Sequence, residues 1–137
     1  MKALGREFAQ RAKAGEVFAL IGTLGTGKTH WSKGFVEVFD PQAEVTSPTF
    51  GIVNEYAGGD LPIFHFDFYR LKSEAELIAL GWDEYLDQPG IMICEWADRF
   101  PQLLPPHTTW LMIQHQGEGS RTCARLTNAP KALDESF

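Results

Sequence analysis

The segment Gly22-Thr23-Leu24-Gly25-Thr26-Gly27-Lys28-Thr29 constrains the fold of this chain more than any other stretch. It fits the pattern G-x-x-x-x-G-K-[ST] of a phosphate-binding loop. Its flanks have the geometry such a loop needs. Before it stands Val17-Phe18-Ala19-Leu20-Ile21, a run that is apolar on both faces and therefore reads as a central strand of a parallel sheet. After it, Trp31, Phe35 and Phe39 recur at i, i+4 and i+8, which predicts a helix with one buried face, closed by Asp40-Pro41. Glycines let the backbone wrap closely around phosphates with its N–H groups turned inward. The helix that follows adds its N-terminal dipole. In such a loop the lysine, here Lys28, bridges the β- and γ-phosphates, and the hydroxyl of Thr29 binds Mg²⁺.

The rest of the chain supplies a sheet around that strand. Leu4, Phe8 and Ala12 share a helical face that ends at Gly15. Residues Gly51 to Tyr56 and Ile63 to Phe68 read as a hairpin around the turn Ala57-Gly58-Gly59-Asp60. Ser73 followed by Glu76 fits a capping box, which predicts a helix to about Leu80 before Gly81. Ile91-Met92-Ile93-Cys94 is a second fully apolar strand, ending in Glu95. A proline-rich crossing leads to two last strands, roughly Thr109 to His115 and Thr122 to Thr127, and the tail after Asn128 is expected to be loose. The sum is an α/β protein: a P-loop NTPase-like three-layer sandwich, with parallel central strands flanked by antiparallel edge strands, in one domain over residues 1–137.

Three features beyond the loop bear on chemistry. Glu95 ends a buried strand, where an acidic residue beside a phosphate-binding loop holds Mg²⁺ directly or through water. An ordinary solvated strand end is the other reading of it. In Ile63 to Phe68, Phe64, Phe66 and Phe68 share one face and Ile63, His65 and Asp67 the other. Asp67 is open as a site residue, a solvated edge-strand residue or a partner of Arg70. His65 is open as a metal ligand, a proton-transfer group or a structural residue. Trp96 reads as a packing residue, with base stacking the other reading. Thr46-Ser47-Pro48-Thr49 is a polar loop where other proteins of this type carry γ-phosphate sensors, and is open as a sensor or a plain connecting loop.

Composition then narrows the partners. Twelve basic residues face eighteen acidic ones, a net charge of −6 with no run of Lys or Arg, so any RNA or DNA in its pathway is expected to be held by another protein. Cys94 and Cys123 read as buried reduced thiols without zinc spacing to any histidine. No stretch approaches the ~18 apolar residues of a membrane span, which points to the cytoplasm.

Several motifs occur in order: Leu20-Ile21-Gly22-x-Leu24-Gly25-x-Gly27-Lys28-Thr29, Ser47-Pro48-Thr49-Phe50, Val53-Asn54-Glu55-Tyr56, His65-x-Asp67-x-Tyr69-Arg70-Leu71 and Glu95-Trp96-Ala97. Together they resemble the bacterial TsaE family, the small ATPase of tRNA threonylcarbamoyladenosine biosynthesis. The likeness covers roughly Leu4 to Leu126. It implies ATP hydrolysis that is weak alone and stimulated by two partners, the synthase subunit and its companion. Those partners would transfer threonylcarbamoyl to the adenosine beside the tRNA anticodon. By the same resemblance Gly22, Gly25, Thr26, Gly27, Lys28, Thr29 and His30 lie at the phosphates of ATP, and Thr29 and Glu95 at Mg²⁺. Lys28, Asp67 and Glu95 become the catalytic candidates, Thr49 a nucleotide sensor, and Arg121 a residue near the nucleotide. Three positions depart from the family: Thr23 stands where Asp is usual, Thr26 where Ala is, and His30 where Thr or Ser is.

Two other functions fit parts of the pattern. A small-molecule kinase would share the loop, but usually clamps the transferred phosphoryl with several arginines, and the six here are scattered. An ATP-gated binding module with little turnover would share the site and lack the hydrolysis. A GTPase is disfavoured because no Asn-Lys-x-Asp motif is present.

Overall fold

A computed structural model describes residues 1–22, 28–45, 52–115 and 121–130. Its centre is β1 (Val17–Ile21), all five residues of which are buried. On one side β1 pairs in parallel with β4 (Ile91–Glu95), and on the other with β5 (Thr109–His115). β4 pairs in parallel with β3 (Ile63–Asp67), which carries β2 (Val53–Tyr56) antiparallel at one edge. β6 (Arg121–Leu126) closes the other edge antiparallel to β5. The order is β2-β3-β4-β1-β5-β6. The expected parallel centre with antiparallel edges is therefore present, and β3 is an interior strand rather than an edge.

Alternation along the strands makes two cores. Phe18, Leu20, Ile63, Ile91, Ile93, Leu111 and Ile113 face one way, against α1 (Lys2–Arg11) and α2 (Lys28–Phe39). Phe64, Phe66, Met92, Cys94 and Trp110 face the other, against α3 (Glu74–Ala79) and α4 (Trp82–Asp87). Helices on both faces give the three layers. On the first face Trp31 stacks on Phe35 at 5.3 Å between ring centroids, and Phe35 on Phe39 at 5.7 Å. The i, i+4, i+8 spacing thus does what it predicts. On the second face Phe66 meets Trp82 edge-on at 5.1 Å, and the Trp82 indole N–H donates to the Leu103 carbonyl at 2.9 Å.

Two glycines set how closely α1 lies on α2. A Cβ on Gly5 would sit 2.0 Å from the Trp31 carbonyl oxygen, and one on Gly34 would sit 2.0 Å from the Lys2 carbonyl oxygen. Neither space admits a methyl group, so the two backbones touch. α2 is held there with Lys28 and Thr29 in its first turn.

Some elements differ from the sequence reading. The capping box at Ser73 forms, with its Oγ accepting from the Glu76 N–H at 3.3 Å, and α3 ends at Ala79 with Leu80 as its C-cap, as read. Gly81, at φ 97°, then starts a second short helix, α4, which the sequence reading did not separate. Cys94 is buried as expected, whereas Cys123 is only half-buried, because β6 is an edge strand with a largely exposed pattern. Thr23, the loop at Thr46–Thr49 and the last seven residues of the tail lie outside the described residues.

Candidate functional site

Strand ends, a helix start and one turn converge at the C-terminal edge of the central strands. Register places Leu20, Glu95 and Asp67 side by side across β1, β4 and β3. Gly22 follows β1 at φ 144°, a left-handed value that favours glycine. Its carbonyl accepts a hydrogen bond from Lys28 Nζ at 2.9 Å, across the segment that carries Gly25, Thr26 and Gly27. Those three residues, like Thr49, lie outside the described residues.

Lys28 is nearly inaccessible, at 5% exposure. Burial lowers its pKa, while the charges of Glu95, Asp98 and Asp67 oppose the shift. An ammonium this enclosed persists because carboxylates surround it and because its Nζ lies 4.4 Å from the Trp96 ring centroid. Trp96 has φ 57° and ψ 35°, a left-handed conformation unusual for a bulky residue. That bend turns the chain from β4 into the 3₁₀ turn Ala97–Arg99, and it brings Asp98 back toward Lys28. Tyr69 packs on Trp96 with ring centroids 4.9 Å apart, and Arg99 donates to the Tyr69 carbonyl at 2.9 Å.

Glu95 is 3% exposed and uses its two oxygens differently. Oε1 accepts from the Thr29 hydroxyl at 3.4 Å. Oε2 lies 2.5 Å from Nε2 of His65, whose side chain is fully buried. Asp67 is more open and its Oδ1 caps the 3₁₀ turn Phe68–Arg70 by accepting from the Tyr69 N–H at 3.0 Å. Burial raises its pKa, the Tyr69 hydrogen bond opposes this, and the Glu95 charge adds to the rise. Asp98 is raised too, chiefly by burial, and among the described residues its buried Oδ1 has no hydrogen-bond partner.

Four of the predicted residues thus meet: Lys28, Thr29, Glu95 and Asp67. His30 stands on the same first turn of α2 with its side chain exposed. Arg121 starts the edge strand β6 opposite His115, at the same end of the sheet but beyond β5 from β1. Trp96 does pack, as expected, and it also carries Lys28. Asp98 was missed altogether; an acid two residues after Trp96 has no sequence mark until the left-handed turn is known.

The oxygens of Thr29 and Glu95 fit Mg²⁺ in kind and spacing. Two neighbouring ligands of an octahedral Mg²⁺ at about 2.1 Å lie roughly 3 Å apart, close to what the pair shows. Among the described residues no group of three or more His, Cys, Asp or Glu is arranged to hold a metal.

This arrangement has relatives. The family described as "Threonylcarbamoyl adenosine biosynthesis protein TsaE" matches residues 1–123. The tRNA threonylcarbamoyladenosine biosynthesis protein TsaE of Bacillus subtilis is 41% identical over 120 residues, covering 88% of this chain and 75% of its own. That of Rickettsia conorii is 32% identical over 136 residues, covering 98% and 77%. The crystal structure of YdiB from Bacillus subtilis superposes with a TM-score of 0.74 at 35% identity, over 90% of this chain and 76% of that one. This chain belongs to the TsaE family. Among the described residues no helix is long and apolar enough to cross a membrane.

Proposed function

We propose that this chain binds ATP with Mg²⁺ and hydrolyses it in support of the complex that installs threonylcarbamoyl on the adenosine beside the tRNA anticodon. The observation that carries the reading is the meeting of Lys28 and Thr29, the last two residues of the G-x-x-x-x-G-K-T segment, with Glu95 at the end of β4. Lys28 moves its ammonium from the Gly22 carbonyl to the β- and γ-phosphates. Backbone N–H groups of Gly25, Thr26 and Gly27 cradle the same phosphates. Thr29 and Glu95 hold Mg²⁺, which neutralises charge on the phosphate oxygens when bound. Asp67 orients the attacking water, and its raised pKa suits a carboxylate that takes up a proton. Water enters at the γ-phosphorus, ADP leaves and phosphate is released. Thr49 senses the γ-phosphate, with His30 and Arg121 near the nucleotide.

The net charge of −6 leaves tRNA to be held by the partners, the synthase subunit and its companion. The whole chain acts as one unit in the cytoplasm. Phosphate release from wild type and Lys28→Ala, each with and without those subunits, tests this. Slow release that rises with the subunits and vanishes in Lys28→Ala is expected. A wild-type rate that stays flat on their addition overturns the partner role. A phosphorylated acceptor in place of free phosphate makes the chain a kinase.

A further inference from the structure

His65 is the polar residue that apolar packing explains least. It lies in the middle of an interior strand with no exposed side-chain surface. Among the described residues its Nδ1 has no hydrogen-bond partner. A buried ring nitrogen without a partner costs free energy that an apolar side chain of similar volume would avoid. What the ring does have is Glu95. Register pairs His65 with Ile93 and Asp67 with Glu95, so the imidazole reaches diagonally across to the next same-face residue of β4. Its Nε2 is 2.5 Å from Oε2 of that carboxylate.

A glutamate's last torsion is broad and roughly two-fold, so nothing within Glu95 decides where its oxygens point. The His65 contact decides it: with Oε2 held, Oε1 is left facing the Thr29 hydroxyl at 3.4 Å. An ionised carboxylate only accepts, so Nε2 donates. A ring that donates from Nε2 and carries no second proton leaves at Nδ1 an unmet acceptor, which is a less costly orphan than an unmet N–H. We infer that His65 is a positioning residue for Glu95, locking one carboxylate oxygen so that the other is presented with Thr29 to a divalent cation. The inference rests on Thr29 and Glu95 holding Mg²⁺. It adds that the His of His-x-Asp-x-Tyr-Arg touches neither metal nor nucleotide.

The test is Mg²⁺ titration of mant-ATP binding to the full chain, against the same binding in EDTA. His65→Leu keeps the volume and removes the donor. It is expected to raise the Mg²⁺ concentration at half effect about tenfold, the lower end for loss of a group orienting a metal ligand, and to leave binding in EDTA unchanged. His65→Gln, whose amide nitrogen can donate from near the Nε2 position, restores most of the loss. A wild type indifferent to Mg²⁺ sinks the reading of Thr29 and Glu95, and this inference with it. A responsive wild type and an unresponsive Glu95→Gln, alongside a His65→Leu that responds like wild type, sinks the positioning role alone. Equal losses with and without Mg²⁺ mark a packing residue and also overturn it. Should the variants not fold, ¹⁵N spectra of wild-type histidines decide: a proton on Nε2 is required, and one on Nδ1 instead refutes the inference.

Discussion

The central strands end very differently at their two tips. At their N-terminal tips stand Val17, Ile63 and Ile91, none more than 2% exposed. The backbone around them is satisfied by itself: Gly15 N–H donates to the Gly90 carbonyl at 2.8 Å, Ile91 to Pro62 at 3.0 Å and Met92 to Glu16 at 3.0 Å. At the C-terminal tips the same strands gather Lys28, Glu95, Asp67 and Asp98, with a left-handed tryptophan and, among the described residues, a buried Asp98 Oδ1 that lacks a hydrogen bond. One tip stabilises the fold, and the other concentrates charge against the preference of its surroundings. Open parallel sheets bind ligands at the latter tip, so stability and function here divide along the strand axis.

That division can be attacked from either end. Ile91→Ala should cost about 2–5 kcal/mol of folding free energy, as a fully buried isoleucine cut to a methyl, and leave ATP affinity of the folded protein as it was. Urea unfolding and mant-ATP titration check the two halves, and a matching loss of affinity would break the comparison. Lys28→Met should do the reverse. Removing the ammonium is expected to weaken ATP binding on the order of 100-fold, or about 2.7 kcal/mol, through lost charge-assisted bonds to phosphate. Combined with Glu95→Gln, so that fewer buried carboxylates are left without a counter-charge, the change should let the melting temperature hold or rise, since buried charges give way to neutral chains of similar length. A clear fall in the double variant's melting temperature would mean that the charged tip stabilises the fold after all.

The smallest effect sharpens the comparison by pH. Burial first, then the Glu95 charge, raises the Asp67 pKa above its ordinary 3.8. The folded state then binds that proton more tightly than the unfolded one. Its contribution is full below 3.8 and lost as pH rises through the folded value. At neutral pH the ionised group therefore lowers stability. Asp67→Asn keeps an oxygen for the Tyr69 N–H, so it should melt on the order of 2 °C higher than wild type at pH 7. The gain should shrink to nothing as pH falls below 3.8, where the carboxyl is neutral in both the folded and the unfolded chain. Calorimetry at several pH values reads this directly. A gain that persists in acid would trace to something other than the charge.

The stabilising tip was the easier one to read in the sequence. Runs apolar on both faces marked β1 and β4, and i, i+4 aromatics marked α2, because burial writes itself as periodicity. α4 escaped because six residues hold too few turns for a period, and Gly81 looked like a stop rather than a joint. At the charged tip, Lys28, Thr29 and Glu95 were legible from spacing along the chain. Asp98 was not, since its approach to Lys28 depends on one backbone angle at Trp96. His65 could be seen to share a face with Asp67, but its diagonal reach to Glu95 follows from the β3–β4 register, which no local pattern encodes. Cys123 was read as buried because its strand was not yet known to be an edge.

The position of β1 also dictates a timetable. Its flanking helices α1 and α2 are its neighbours in sequence, but Val17 pairs with Met92 and Phe18 with Thr109. During synthesis the first helix, strand and second helix emerge together, and β1 then waits with both edges bare until most of the chain has been made. Distant parallel pairing of this kind is slow to form and leaves apolar edges open to wrong partners meanwhile. Glu95 arrives on β4, the strand that ends the wait on one side. The lysine and hydroxyl of α2 therefore gain their carboxylate only once the sheet has begun to close.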